Sequence, residues 1–174
     1  MRPLRAALVA AVLGVALVAA RGQDDEPKPN PFVLSLKAAV AKGGRAFLAE
    51  SKDGKVEVSV WKDDKAWTVT VDLKTQKAQD PKEAAKDSDA ANDGADLGPA
   101  VAKAKVQMPE AVEKALQGEE KIDVELAQAL KREKALLWVV QLKKAGVGSS
   151  WEVDAETGKV SQAKAPGAMG EEPK

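Results

Sequence analysis

Ser161 and Lys164 stand three residues apart, the spacing that pairs a nucleophilic hydroxyl with a lysine base on one helical face. A lysine acts as a base only when it is desolvated. These two residues lie in a polar stretch behind the last expected strand, so the pairing reads as chance. Asp87-Ser88-Asp89-Ala90-Ala91-Asn92-Asp93-Gly94 has oxygen ligands in the manner of a calcium loop. Its fifth position is Ala91, however, and no glutamate stands at the twelfth. Gly146-Val147-Gly148-Ser149 is glycine-rich but lacks the Lys-Ser/Thr pair and following helix of a phosphate loop, and reads as a hairpin loop. The chain has no His and no Cys. Zinc would therefore need carboxylates alone, and disulfides, thiol chemistry and iron–sulfur clusters are excluded. No catalytic or metal-binding residue is assigned, and no cofactor is expected.

Four tryptophans remain. Trp67, Trp138 and Trp151 share strand faces with valines and are expected in the core. Trp61 is out of phase with Val56, Val58 and Val60, which places it on the opposite face and partly exposed. There it is either a contact for a partner or a cover over a second unit. Trp61, Gly146 and Gly148 are the candidate partner contacts.

These residues sit in a 174-residue chain, long enough for one ordinary domain or two small ones. Apolar residues make up 44% and charged residues 31%, so the chain is globular, but much of the apolar share is alanine and the core must be thin. Basic and acidic residues number 27 each. Removing Arg2, Arg5 and Arg21 with residues 1–22 leaves 24 against 27. Such a balance has no electrostatic footprint for nucleic acid.

Residues 1–22 read as a signal peptide, with Arg2 and Arg5 ahead of the uncharged run Ala6–Ala20, too short for the ~20 residues of a membrane span. The expected location is periplasmic or extracellular, with no membrane span after cleavage. Residues 23–31 are an acidic, proline-rich disordered spacer. Ser35 is expected to cap a helix running through Phe47 and Leu48, with a break at Asp53-Gly54. Val56–Trp61 and Ala66–Asp72 alternate as a hairpin. Residues 80–97, with six acids and two lysines, read as a linker that could be helical at its start. A short helix follows from Pro99, and another covers Pro109–Gln117. Residues 124–133 have helix-forming composition but are assigned strand by analogy with the first half. Leu136, Trp138, Val140 and Leu142 form a long strand, Lys143–Gly148 turns it, and Trp151 with Val153 returns. Residues 163–174 are a flexible tail.

The halves repeat. Ala39-Val40-Ala41-Lys42 matches Ala111-Val112-Glu113-Lys114, and Val56-Glu57-Val58 is set against Val124-Glu125-Leu126. Trp67 is set against Trp138. With Pro109-Glu110-Ala111-Val112-Glu113-Lys114-Ala115-Leu116 on a helix and Val153-Asp154-Ala155-Glu156-Thr157-Gly158-Lys159-Val160 at the end, this order resembles the PepSY domain family. Residues 108–162 carry the better match. Val71-Asp72-Leu73-Lys74-Thr75-Gln76-Lys77 stands where a degenerate first copy would have its signature, with Gln76 in place of glycine.

The resemblance implies an α+β fold of two PepSY-like helix-plus-antiparallel-sheet (α-β-β-β) units, at 32–79 and 98–162. It also implies a non-enzymatic protein, since such modules are proposed to restrain peptidases or bind proteins near the cell surface. The expected function is binding of a protein partner, plausibly a secreted peptidase, through a sheet edge or hairpin. The alternative is a small apolar-ligand carrier. Oligomeric state is not legible.

Overall fold

The computed structural model describes residues 29–119 and 121–163. The expected signal peptide, most of the spacer and all of the tail but Ala163 lie outside them. Asn30 opens the first helix, α1 (Pro31–Ala41), by accepting the Phe32 amide on Oδ1 at 3.0 Å, with Pro31 in the first turn. Asn30 also donates from Nδ2 to the Ile122 carbonyl at 2.9 Å, joining the start of the first half to that of the second.

The helix does not reach Phe47 and Leu48 as the sequence reading expects. Gly43 and Gly44 take φ of 101° and 102°, which end it, and Arg45–Lys52 becomes strand β1. Strands β2 (Lys55–Lys62) and β3 (Lys65–Asp72) form the expected hairpin, and β4 (Lys82–Glu83) pairs outside β3. Helix α2 (Asp89–Lys103) and helix α3 (Met108–Leu116) precede β5 (Asp123–Arg132), β6 (Ala135–Lys144), β7 (Val147–Asp154) and β8 (Val160–Gln162). β5 is a strand despite its helix formers. Its pairing with β1 and β6 overrides local propensity.

All eight strands make one antiparallel sheet in the order β4-β3-β2-β1-β5-β6-β7-β8, giving an α+β fold. The order reads the same from both ends. At its middle Ala49 pairs with Ala127, Leu48 with Gln128 and Glu50 with Leu126. Both β1 and β5 carry a bulge, between Ala46 and Leu48 and between Val124 and Leu126. Exchanging the halves therefore maps the central register and the bulges onto themselves. It also sets β2 against β6, so Val56 corresponds to Trp138: Val56 pairs with Val71, one residue before Asp72, and Trp138 with Val153, one before Asp154. The sequence alignment of Trp67 with Trp138 is thus displaced by one strand, because the unread β1 shifts the count.

The front face of the sheet carries Val56, Val58, Val60, Val69, Val71, Ala127, Trp138, Val140 and Val153, all buried. Helix α1 seats Phe32, Val33, Leu36 and Ala39 over the first half, and α3 seats Ala111, Val112 and Ala115 over the second. Burying side chains of the Val and Leu size contributes roughly 1.5–3 kcal/mol each, so this layer dominates stability. The Trp138 indole, fully buried, donates from Nε1 to the Val106 carbonyl at 2.9 Å. Trp67 and Trp151 are only half-buried at the margins.

The expected linker is the largest difference. Residues 89–97 are helical, the first part of α2, whose Ser88 cap accepts the Ala91 amide. α2 lies on the back face. Its buried residues are Gly94, Gly98 and Val101, so the face that packs is almost without side chains. A Cβ on Gly98 would fall 2.1 Å from Trp61 Cδ2, and one on Gly94 2.7 Å from Ala66 Cβ. Close approach of helix to indole replaces the apolar stripe that marks an ordinary packed helix.

Candidate functional site

Trp61 lies on the back face, as its phase predicts, with its half-buried ring packed against α2. In the second half the matching positions are polar. Lys143 pairs with Asp123 in the register that sets Trp61 against Arg45, and Glu125 takes the bulge position of Phe47. Lys143 Nζ donates to Glu125 Oε1 at 2.9 Å, an exposed ion pair that holds the lysine above its usual pKa. Where one half packs the buried Phe47 and the half-buried Trp61 beneath a helix, the other keeps an exposed, charged corner.

Gly146 lies at the tip of the β6–β7 hairpin and Gly148 on its returning strand. The turn itself is Ala145-Gly146, with φ of 50° and 84°, in the two-residue form that suits strand twist. Val147 next to it is 72% exposed, and nothing lies within contact distance of a Cβ placed on Gly146 or Gly148. Lys144 pairs with Glu119 and Lys143 with Glu125, fastening the turn end of the hairpin to the body. Val147 is thus an exposed apolar residue flanked by ion-paired lysines.

Two other turns are near copies. Asp154 Oδ1 accepts the Thr157 amide at 2.7 Å, the Thr157 hydroxyl at 2.8 Å and the Glu156 amide at 3.1 Å. Asp72 Oδ1 does the same with Thr75 at 2.7 and 2.8 Å and Lys74 at 3.1 Å. The Thr157 hydroxyl and amide hold the Asp154 carboxyl below the usual carboxylate range, and the Thr75 amide and hydroxyl do so for Asp72. Gly158 closes its turn at φ 72°. Gln76 does so at φ 56° and uses its side chain, donating from Nε2 to the Leu73 carbonyl at 2.7 Å while Oε1 accepts from Ser35 at 3.0 Å. These aspartates are spent on their own turns.

Ser161 is exposed on the short edge strand β8, and Lys164 lies outside the described residues. The calcium-like stretch from Asp89 onward is helical, which rules out the loop that motif needs.

Beneath the start of α1 the strand ends leave an open groove of about 870 Å³, lined by Asn30, Pro31, Leu73, Lys74, Lys121 and Lys143 among others. No local sequence signal could have found it, because its walls come from segments 92 residues apart, joined by the Asn30–Ile122 bond. A second open groove of about 570 Å³ lies between the end of α2 and the Asp154 turn. Both lie at strand ends, outside the buried helix–sheet layer where an apolar-ligand carrier was expected to hold its cargo.

Residues 100–161 match the PepSY family model, described as the peptidase propeptide and YPEB domain. The match begins inside α2 and ends in β8, taking in the whole second half of the sheet. No curated protein matches the chain. Among solved structures the chain is similar to a "putative lipoprotein" from Clostridium difficile 630. The two share 19% identity over 71% of this chain and 85% of that one, with a TM-score of 0.41.

Proposed function

We propose that this is an exported, non-enzymatic protein that binds a protein partner, and that the partner is a secreted peptidase whose activity it restrains. The observation that carries the reading is the match of residues 100–161 to the peptidase propeptide and YPEB domain. On this reading residues 32–79 are a second, diverged PepSY-like unit, supported by the self-matching register at Ala49 and Ala127 and the paired Asp72 and Asp154 turns.

The contact surface in this proposal is the β6–β7 hairpin with Gly146, Val147 and Gly148. Strand addition at a sheet edge is the weaker route, because the described outer strands span only two and three residues and offer few free backbone groups. An exposed valine on a tip held by ion pairs is a better anchor, since little conformational freedom is lost on docking. The test is capture of secreted peptidase activity from the organism's own culture fluid and envelope extract by the native chain and by Val147→Asp. Retention and inhibition by the native protein, both reduced at least tenfold by the variant, support the reading. A peptidase held equally by both refutes the surface, and none held by either refutes the function.

A further inference from the structure

The open groove at the start of α1 has a mixed but lysine-bearing wall. Lys143 there is engaged by Glu125, and Asp123 adds one further acid. Lys74 and Lys121 make no ion pair among the described residues. The chain enters the structure at this groove. Asn30 is held from both sides, by the Phe32 amide and the Ile122 carbonyl, and together with Pro31 it lines the wall. Immediately upstream the sequence reads Asp24-Asp25-Glu26-Pro27-Lys28-Pro29. Three acids thus stand four to six residues before Asn30. An extended chain covers about 3.3 Å per residue, so their reach from that anchor is at most roughly 13–20 Å, which takes in the groove that Asn30 itself lines.

We propose that the acidic stretch Asp24–Glu26 of this same chain docks in the groove, its carboxylates meeting Lys74 and Lys121. The charge complement suits this occupant, and the attachment point and the reach select it over a separate acidic molecule. The tether also gives it a high effective concentration that a free acidic peptide lacks. Contacts of this kind between exposed charges are screened by salt, so the docking is reversible and strongest at low ionic strength. The segment then shields this end of the sheet, independently of what the β6–β7 hairpin binds.

Zero-length carbodiimide coupling of carboxylates to lysines, read by mass spectrometry on the full chain, tests this directly. The ion pairs Lys37–Glu113 and Lys143–Glu125 serve as internal references, and coupling is run until both appear. The expected result is intramolecular linkage of Asp24, Asp25 or Glu26 to Lys74 or Lys121 in the monomer. Its yield should fall at least fivefold between 20 mM and 500 mM salt. Reference links without any link from residues 24–26 to these lysines overturn the proposal. Links confined to a dimer overturn it as well, because the occupant is then a second copy.

Discussion

Gly98 lies so close to Trp61 that its missing side chain is the condition for packing: a Cβ there would sit 2.1 Å from Cδ2. Alanine is favoured over glycine inside a helix by roughly 1 kcal/mol, while overpacking a fitted contact costs about 1–3 kcal/mol. A contact this short puts the overpacking cost ahead. Gly98→Ala is expected to lower the urea midpoint and shift tryptophan emission to the red as α2 lifts. An unchanged or raised midpoint would show that α2 is not seated on Trp61.

Trp138 anchors the second half of the core through its volume and its bond to the Val106 carbonyl. Trp138→Phe keeps most of the volume but leaves that carbonyl without its donor, a loss of about 1–3 kcal/mol. Trp138→Ala adds a large cavity and costs about 3–5 kcal/mol. Equilibrium unfolding should rank them in that order. Equal losses would mean that the ring's volume adds nothing beyond the lost hydrogen bond.

The two aspartate turns respond oppositely to their closing residue. Gly158→Ala forces a Cβ into a positive φ, at about 1 kcal/mol or more. Gln76→Gly relieves the same strain yet removes the bonds to Leu73 and Ser35, each worth about 0.5–1.5 kcal/mol. The bonds outweigh the relief, so glycine at 76 is expected to destabilise slightly although it restores the motif. Thermal unfolding of Gln76→Gly above the native midpoint would reverse that ranking.

Acid should find the same turns. Asp72 and Asp154 have folded pKa values below the usual 3.8. The unfolded chain therefore takes up their protons first, and the stability they supply is complete well above pH 3.8. It is lost as pH falls through the lower folded values. In a urea-midpoint series from pH 6 to pH 2, Asp72→Asn/Asp154→Asn should show a shallower decline than the native chain. Parallel curves would assign acid sensitivity elsewhere. Lys105 and Lys143, raised by Glu156 and Glu125, act in reverse: their contribution is present below pH 10.5 and fades above it.

The β2–β3 hairpin was plain in the sequence because Val56, Val58 and Val60 alternate with polar residues over one covered face. The strand at 123–132 was legible only by comparison with the first half, since Glu125, Gln128 and Leu130 are equally at home on a helix. Two elements were hidden for physical reasons. Arg45–Lys52 has Ala and Leu that extend the preceding helix on paper, and only the positive φ at Gly43 and Gly44 stops it. Helix α2 buries glycine rather than leucine, so hydrophobic periodicity does not register it. Trp61 was placed on the correct face, but its cover could not be foreseen without α2. The groove beneath α1 belongs to tertiary structure alone.

The seam between Ala49 and Ala127 has one more property. Because exchanging the halves leaves its register unchanged, the edge that each half offers its neighbour is also complementary to a copy of itself. A second half released from the first would carry β5 as a free edge, with Ala127 positioned to face Ala127 of another molecule and Leu126 to face Gln128. Fusion of both halves in one chain satisfies that edge internally. The covalent link between halves therefore keeps both of these edges paired within one molecule.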